Sequence, residues 1–313
     1  MRGYVRQKLI SLLPVLLGIT LLAFVLGALT PGNPAELALS QGGYEPTPAQ
    51  IAEMEEQMGL NAPYPVQYLR WLGRALTGDL GTSYYSGTPV GEELLRRLPV
   101  TGALTAYAMA LTVGAGVALG CAAAAWYGRW PDRLLKGLFH IPLSIPAFWL
   151  ALLLILLFAE TLGWLPTSGT GGPRHMLLPA VSLAAASAAM TGRLTRSALL
   201  AELGRPYCTA ALARGIRRWR LVVCNALPNA IVPVTAMLGN TLGGMLGGSI
   251  VVESIFALPG IGSYALDAVS HRDYPALQGY VLVTGSLYVL NTLLVDVISL
   301  LLDPRVRLEG RAL

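Results

Sequence analysis

Long apolar windows separated by short polar segments run along most of this 313-residue chain. A helix needs about 20 apolar residues to cross a bilayer, and these windows are too long and continuous for the strands of a membrane barrel. The pattern therefore predicts an all-α, polytopic membrane protein with six transmembrane helices. The predicted spans cover residues 9–30, 100–126, 137–158, 176–192, 228–251 and 279–302.

The first window has a second interpretation as a secretory signal, because Arg2, Arg6 and Lys8 precede it. Its apolar stretch is longer than the roughly 7–15 residues of a signal core, and no A-x-A cleavage site follows. We therefore interpret it as an uncleaved first span.

Composition agrees with a membrane protein. Hydrophobic residues make up 54% of the chain and charged residues 12%, about half the share of charged residues in a soluble protein. This balance excludes a disordered chain. The three cysteines, Cys121, Cys208 and Cys224, have no metal-binding spacing and are expected to be ordinary free thiols.

The distribution of charge predicts the orientation in the membrane. The N-terminus and residues 127–136, 193–224 and 303–313 together hold 16 Lys and Arg against 4 acidic residues. The opposite set, residues 31–99, 159–175 and 252–278, holds 6 basic and 12 acidic residues. Basic residues are concentrated on the cytoplasmic side. Both termini are therefore expected to be cytoplasmic.

This topology divides the chain into four predicted regions. They are the N-terminus and first span (1–30), an extracytoplasmic loop with short helices (31–99), a five-span core (100–302) and a cytoplasmic tail (303–313). In the loop, Thr47, Pro48 and Gln50 form a capping-box pattern, Gly59 ends that helix, and a second helix is expected over 65–76. The loop serves either as a lid over the helices or as a docking surface for a soluble partner.

The internal segment 193–224 carries seven arginines. Pro206 is suited to begin a short helix there, and Gly215 to end it. Such a helix inserts into a groove of another protein, or else the arginines anchor the neighbouring spans to anionic lipid. Spacing alone favours the lipid anchor.

The chain lacks the motifs of a nucleotide site. Neither Lys8 nor Lys136 follows a glycine, so no phosphate-binding G-x-x-x-x-G-K-[ST] loop exists. His140, His175 and His271 have no metal-ligand spacing, and G-x-S-x-G is absent. No catalytic residue, metal or cofactor is expected.

Two features lie within the predicted spans. Asp296 is the only ionisable residue deep in a span, and we assign it a structural role. Gly239, Gly243 and Gly247 recur every four residues in the fifth span. Small residues allow helices to approach closely, so this face is expected to pack on a second helix.

Several motifs, in this order, resemble the permease subunits of binding-protein-dependent ABC importers for dipeptides, oligopeptides and nickel. Residues 209–215 (TAALARG) resemble the family's E-A-A-x-x-x-G loop, with Thr209 in place of the glutamate, and residues 225–228 (NALP) follow at the family's spacing. Further similarity covers residues 252–262, 271–278 and 303–307, and the outer loop from Gly59 to Ser83. Together they extend over nearly the whole chain.

The resemblance implies a type I ABC importer permease of a bacterial inner (plasma) membrane that couples to ATP hydrolysis in a partner. Its implied partners are a second homologous permease, two cytosolic ABC ATPases and an extracytoplasmic substrate-binding protein, with no nucleic acid. The implied coupling residues, which would contact an ATPase, are Arg205, Tyr207, Thr209, Ala210, Ala211, Arg214 and Gly215. This implication overturns the preference for a lipid anchor.

Two alternatives describe a different class of protein. A secondary transporter or channel would require paired charges within the spans or an inverted repeat, and neither is found. A membrane-anchoring subunit of a respiratory or assembly complex would require haem-ligating histidines within spans, and only His140 comes close. The substrate stays open between small peptides and a nickel chelate, and the short glycine-containing loop 164–179 resembles the nickel branch more closely.

Overall fold

The computed structural model describes residues 2–29, 32–40 and 45–302. This part of the chain is helical, and its only β pairing is an isolated bridge between Thr82 and Pro89. The helices are α1 (Arg2–Leu29), α2 (Pro34–Leu39), α3 (Pro48–Met58), α4 (Tyr64–Leu76), α5 (Val90–Ala125), α6 (Trp130–Ser144), α7 (Ala147–Leu154), α8 (Pro173–Leu203), α9 (Pro206–Ala213), α10 (Arg218–Arg220), α11 (Leu227–Ile255), α12 (Ile261–Ser270) and α13 (Tyr274–Leu302). The all-α prediction is confirmed.

Four helical segments are long and apolar enough to cross a membrane. They are α5, α8, the continuous helix Arg218–Ile255 that contains α10 and α11, and the Tyr274–Val295 part of α13. A fifth candidate is the bent pair formed by α6 and by α7 with its π-helical extension, Ile155–Thr161. Helix α1 carries a shorter apolar stretch, Pro14–Ala28. These segments fall on the six predicted windows, but length and composition alone give four spans, or five with the bent pair.

The predicted third span, residues 137–158, is not one continuous helix. The helices on either side of its break make an angle of 103°. Ile145 has an extended backbone (φ −107°, ψ 125°) because the ring of Pro146 disfavours the helical conformation for the residue before it. A hydropathy window does not detect this break, since proline and isoleucine do not interrupt the apolar run.

The predicted fourth span, residues 176–192, is too short at both ends. Helix α8 covers Pro173–Leu203 and continues through Arg193 and Arg196 into the arginine-rich segment. The charged residues ended the apolar window, but they do not end the helix.

The chain divides into two compact units, one of residues 101–258 with the end of α13 and one of residues 2–100 with 259–289. In the first unit α5 and α8 approach closely. A Cβ at Gly116 would come within 2.7 Å of the Thr191 Cβ, and one at Gly120 equally close to the Thr195 Cβ. Apolar burial provides little attraction between helices in lipid, so this close van der Waals contact stabilises the pair.

The second unit contains the helices predicted for the outer loop. Thr47 and Gln50 form the expected capping box at the start of α3, and Gly59 ends that helix with φ of +70°. Helix α4 begins one residue before its predicted start. Both predicted helices are confirmed.

Candidate functional site

The arginine-rich segment, residues 193–224, contains a short helix between two long ones. Helix α9 begins with Pro206 in its first turn, where a missing N–H costs nothing. Gly215 follows it with φ of +81°, a left-handed conformation that favours glycine. The predicted start and stop of this helix are confirmed.

Helix α9 has one buried and one exposed face. Cys208 and Ala211 are buried in an apolar cluster with residues of α5, α8, α11 and the π-helical turn before α11, Leu221–Ala226. Tyr207 and Leu212 are exposed on the other side, as are the polar Thr209 and Arg214. The helix is therefore fixed to its own chain along one side while the other side is available for contact.

Glu202, at the end of α8, joins three helices through polar contacts. Its side chain is buried, with 8% of the residue exposed. The Tyr207 hydroxyl donates a hydrogen bond of 2.9 Å to Glu202 Oε2, and Arg205 forms an ion pair of 2.9 Å with Oε1. The Asn229 side-chain amide, in the first turn of α11, donates to the Tyr207 hydroxyl at 3.2 Å. We call Glu202, Tyr207 and Asn229 the polar relay, because they link α8, α9 and α11.

The Tyr207 hydroxyl remains protonated at neutral pH. Desolvation raises the pKa of this phenol above its ordinary value. Asn229 lowers that pKa by donating a hydrogen bond, whereas the hydrogen bond to Glu202 raises it. The net shift is upward, so Tyr207 keeps the proton that it donates to the Glu202 carboxylate.

A second ion pair joins α6 to α8. Arg196 contacts the buried carboxylate of Asp132 with two nitrogens, Nε at 2.7 Å and Nη2 at 2.9 Å. The Gly128 N–H donates to the same carboxylate at 3.0 Å, and the Arg196 guanidinium lies 5.5 Å from the ring centre of Tyr127. Arg196 therefore acts within the chain, and its charge is not free for a partner.

Comparison with known protein families identifies the chain. The family described as "Binding-protein-dependent transport system inner membrane component" matches residues 116–308, and the family of the N-terminal part of such membrane components matches residues 1–105. The chain belongs to this family. It is a transport permease of the bacterial inner membrane and not an enzyme.

Curated permeases are similar in sequence to this permease over nearly its full length. The glutathione transport system permease GsiC of Salmonella paratyphi A is 41% identical, over 98% of this chain and 99% of its own. GsiC of Escherichia coli O6:H1 is 38% identical over the same shares. The dipeptide transport system permease DppB of Alkalihalophilus pseudofirmus is 36% identical, over 98% of this chain and 100% of its own.

The fold also resembles a solved ABC transporter. A structure of the MetNI methionine ABC transporter in an inward-facing conformation matches with a TM-score of 0.57 and 21% identity. The match covers 67% of the permease and 96% of the solved chain. At this level of identity the similarity establishes a shared fold alone.

The structure brings the predicted coupling residues together on and around α9. Arg205 precedes the helix and is paired with Glu202, whereas Arg214 follows the helix and is exposed. Ala210 lies on the exposed face, but Ala211 is buried against the permease itself. Glu202 was not among the residues predicted from the sequence, although it is the only acidic residue among the seven arginines of the segment. Asn229, which follows the NALP motif directly, was not predicted either.

The three glycines predicted for helix packing have different surroundings. A Cβ at Gly239 would overlap Val295 of α13, and the Gly239 carbonyl accepts a hydrogen bond of 2.9 Å from the Asn291 amide. Gly243 is also buried, whereas Gly247 is exposed, with open space where its Cβ would lie. Gly239 is therefore covered by α13 of the same chain, and of the three predicted glycines only Gly247 is open to a partner.

Two family motifs contain buried carboxylates. Glu253 lies two residues beyond the predicted fifth span, yet α11 continues past it and its carboxylate accepts a hydrogen bond of 2.7 Å from Thr101. Asp273 accepts hydrogen bonds from the Ser83 hydroxyl and from the backbone N–H groups of Tyr84 and Tyr85. Burial and the Asp273 charge raise the pKa of Tyr84 to about 12. Both carboxylates hold distant segments together.

The 303–307 motif lies outside the described residues, as does the side chain of Asp296.

Proposed function

We propose that this permease imports small peptides. Its full-length similarity to permeases named for glutathione and dipeptide transport carries the proposal. The relatives compared above are named for peptides, whereas the nickel alternative rests on the compact length of the chain and on the short loop at 164–179. Peptides are therefore the first substrates to test.

We also propose that α9 is the coupling helix. Its exposed face, which includes Tyr207, Thr209, Ala210 and Arg214, would lie in a cleft of a cytosolic ABC ATPase. The polar relay would carry the displacement of α9 to α8 and α11, because its hydrogen bonds join all three helices. A second homologous permease and a second ATPase would complete the transporter, and an extracytoplasmic binding protein would deliver the peptide.

The proposed topology follows the charge distribution. Both termini and the arginine-rich segment would face the cytoplasm, and residues 31–99 would form the extracytoplasmic loop. Residues 100–302 would make half of the translocation path, with residues 303–313 as a cytoplasmic tail.

Uptake in a strain that lacks the permease gene tests this function. Labelled glutathione, a labelled dipeptide and a labelled nickel chelate are supplied to the strain with and without the permease. We expect the permease to restore peptide uptake, and an inactivated ATPase partner to abolish it. Restoration of nickel uptake alone would refute the peptide assignment, and uptake without a working ATPase would indicate a secondary transporter.

A further inference from the structure

Helix α4 has three faces with different character. Tyr68 and Trp71 pack on α1, where their rings lie 5.5 and 6.2 Å from the ring of Phe24. A second face carries Arg70 and Arg74, both of which line a cavity of about 260 Å³. Neither arginine forms an ion pair with a carboxylate in the described part of the chain.

The third face is apolar and uncovered. Val66, Leu69, Gly73 and Leu76 are spaced by three or four residues and therefore share one stripe of the helix. Leu69 is 64% exposed and Leu76 is 80% exposed. A helix of low average hydropathy with one apolar stripe and a basic face beside it is typical of segments that lie in a membrane interface.

In the proposed topology α1 spans the membrane, and its contacts with α4 then put α4 at the depth of the bilayer. Tyr68 hydrogen-bonds to Thr20 of α1 at 2.8 Å. Thr20 is nine residues before the end of α1 at Leu29, which corresponds to about 13 Å along the helix axis. One half of a hydrocarbon core of about 30 Å is about 15 Å thick. With the end of α1 at the outer edge of the hydrocarbon core, the Tyr68 hydroxyl lies near the inner limit of the outer leaflet. Trp71 packs on Phe24, which is five residues before Leu29 and therefore about 8 Å below that edge, so α4 rises from Tyr68 towards the interface.

The apolar surface of α4 has the character of the membrane-facing side of α1. Side chains exposed along α1 are Leu17, Leu21, Leu22, Val25 and Leu26. A membrane-spanning α1 presents these leucines and valine to lipid, and α4 is packed directly on the same helix. The basic face beside the stripe complements lipid phosphates.

We propose that α4 is embedded in the outer leaflet of the membrane. Val66, Leu69 and Leu76 contact lipid acyl chains, and Arg70 and Arg74 lie at the level of the phosphate groups. This inference rests on the proposed topology, in which residues 31–99 are extracytoplasmic. It assigns this part of the outer loop to the bilayer and not to a soluble partner.

Spin labels on single cysteines test the position of α4. The three native cysteines are replaced with alanine, and the whole importer is reconstituted in vesicles of phosphatidylethanolamine and phosphatidylglycerol. Labels are placed through Leu69→Cys, Leu76→Cys and Arg70→Cys. Leu22→Cys on α1 is the lipid control and Glu56→Cys on α3 is the water control. Collisions with oxygen, which concentrates in lipid, are compared with collisions with water-soluble chromium oxalate.

We expect the labels at Leu69 and Leu76 to resemble the one at Leu22, with strong oxygen and weak chromium oxalate relaxation. The Arg70 label is expected to shift towards the behaviour of Glu56. Labels at Leu69 and Leu76 that match the water control would overturn the proposal. Labels shielded from both reagents would also overturn it, because they would indicate a covering protein. A water-accessible label at Leu22 would instead refute the assignment of α1 as a span, on which both the proposed topology and the position of α4 depend.

Discussion

Removal of the Tyr207 hydroxyl is the sharpest test of the polar relay. Tyr207→Phe deletes both the hydrogen bond donated to Glu202 and the one accepted from Asn229. A hydrogen bond to a charged group contributes roughly 1.5–3 kcal/mol when it is protected from water. Tyr207 is 40% exposed, so water replaces part of the interaction and we expect a loss of about 1 kcal/mol. That loss would shift the equilibrium between attached and displaced α9 by about fivefold.

The assay measures the number of peptides imported per ATP hydrolysed. It uses reconstituted vesicles that contain the permease, the binding protein and the ATPases. We expect this ratio to fall by up to about fivefold for Tyr207→Phe, while the rate of ATP hydrolysis is retained. Tyr107→Phe is the matched control, since Tyr107 is 41% exposed on α5 and has no hydrogen bond to its hydroxyl among the described residues. In addition, Asn229→Ala should have little further effect in the Tyr207→Phe background, because both act on the same relay. An unchanged ratio for Tyr207→Phe, or an equal loss for Tyr107→Phe, would refute this reasoning.

Three further predictions follow from single positions. Gly215→Leu should reduce transport per ATP while membrane insertion is retained, because a side chain at φ of +81° costs about 1–2 kcal/mol. Gly215→Asn should transport better, since asparagine tolerates this conformation. Equal transport by both variants would contradict the assignment of α9 as the coupling helix. Gly239→Leu should lower the melting temperature of the purified permease, because the leucine would overlap Val295, whereas Gly247→Leu should leave it unchanged. A pull-down of the second permease then tests Gly247, since Gly247→Leu should weaken the complex if Gly247 faces that partner. An impermeant thiol reagent applied to intact cells should label Gln57→Cys and not Arg218→Cys, and labelling of the latter would reverse the proposed topology.

Local sequence signals predicted the helices well. The capping box of Thr47 and Gln50, the start of α9 at Pro206 and the left-handed Gly215 are each determined by a few neighbouring residues. The apolar windows likewise located the apolar helices, because hydropathy is summed over adjacent positions, although they did not give the number of spans. These features require no knowledge of which helices are in contact.

Contacts between distant residues could not be predicted in this way. Glu202 appeared as one acidic residue in a basic segment, and only the structure places it against Tyr207 and near Asn229. The tight α5–α8 contact at Gly116 and Gly120 was missed for the same reason, since the threonines that face these glycines are about 75 residues away. Among the predicted packing glycines, the sequence could not distinguish Gly239, which α13 covers, from the open Gly247, because they share one repeat.

The bend between α6 and α7 has a consequence for how the protein is made. Residues 137–158 form an apolar segment long enough to enter the membrane as one helix, but the folded chain turns by 103° within it. A bend in lipid leaves backbone groups without helical partners, so surrounding protein must provide compensating contacts. Helix α7 packs on α8 and α11, which are both synthesised after it. We therefore expect this segment to reach its final bent form late in biogenesis, after the ribosome has delivered the helices that hold it.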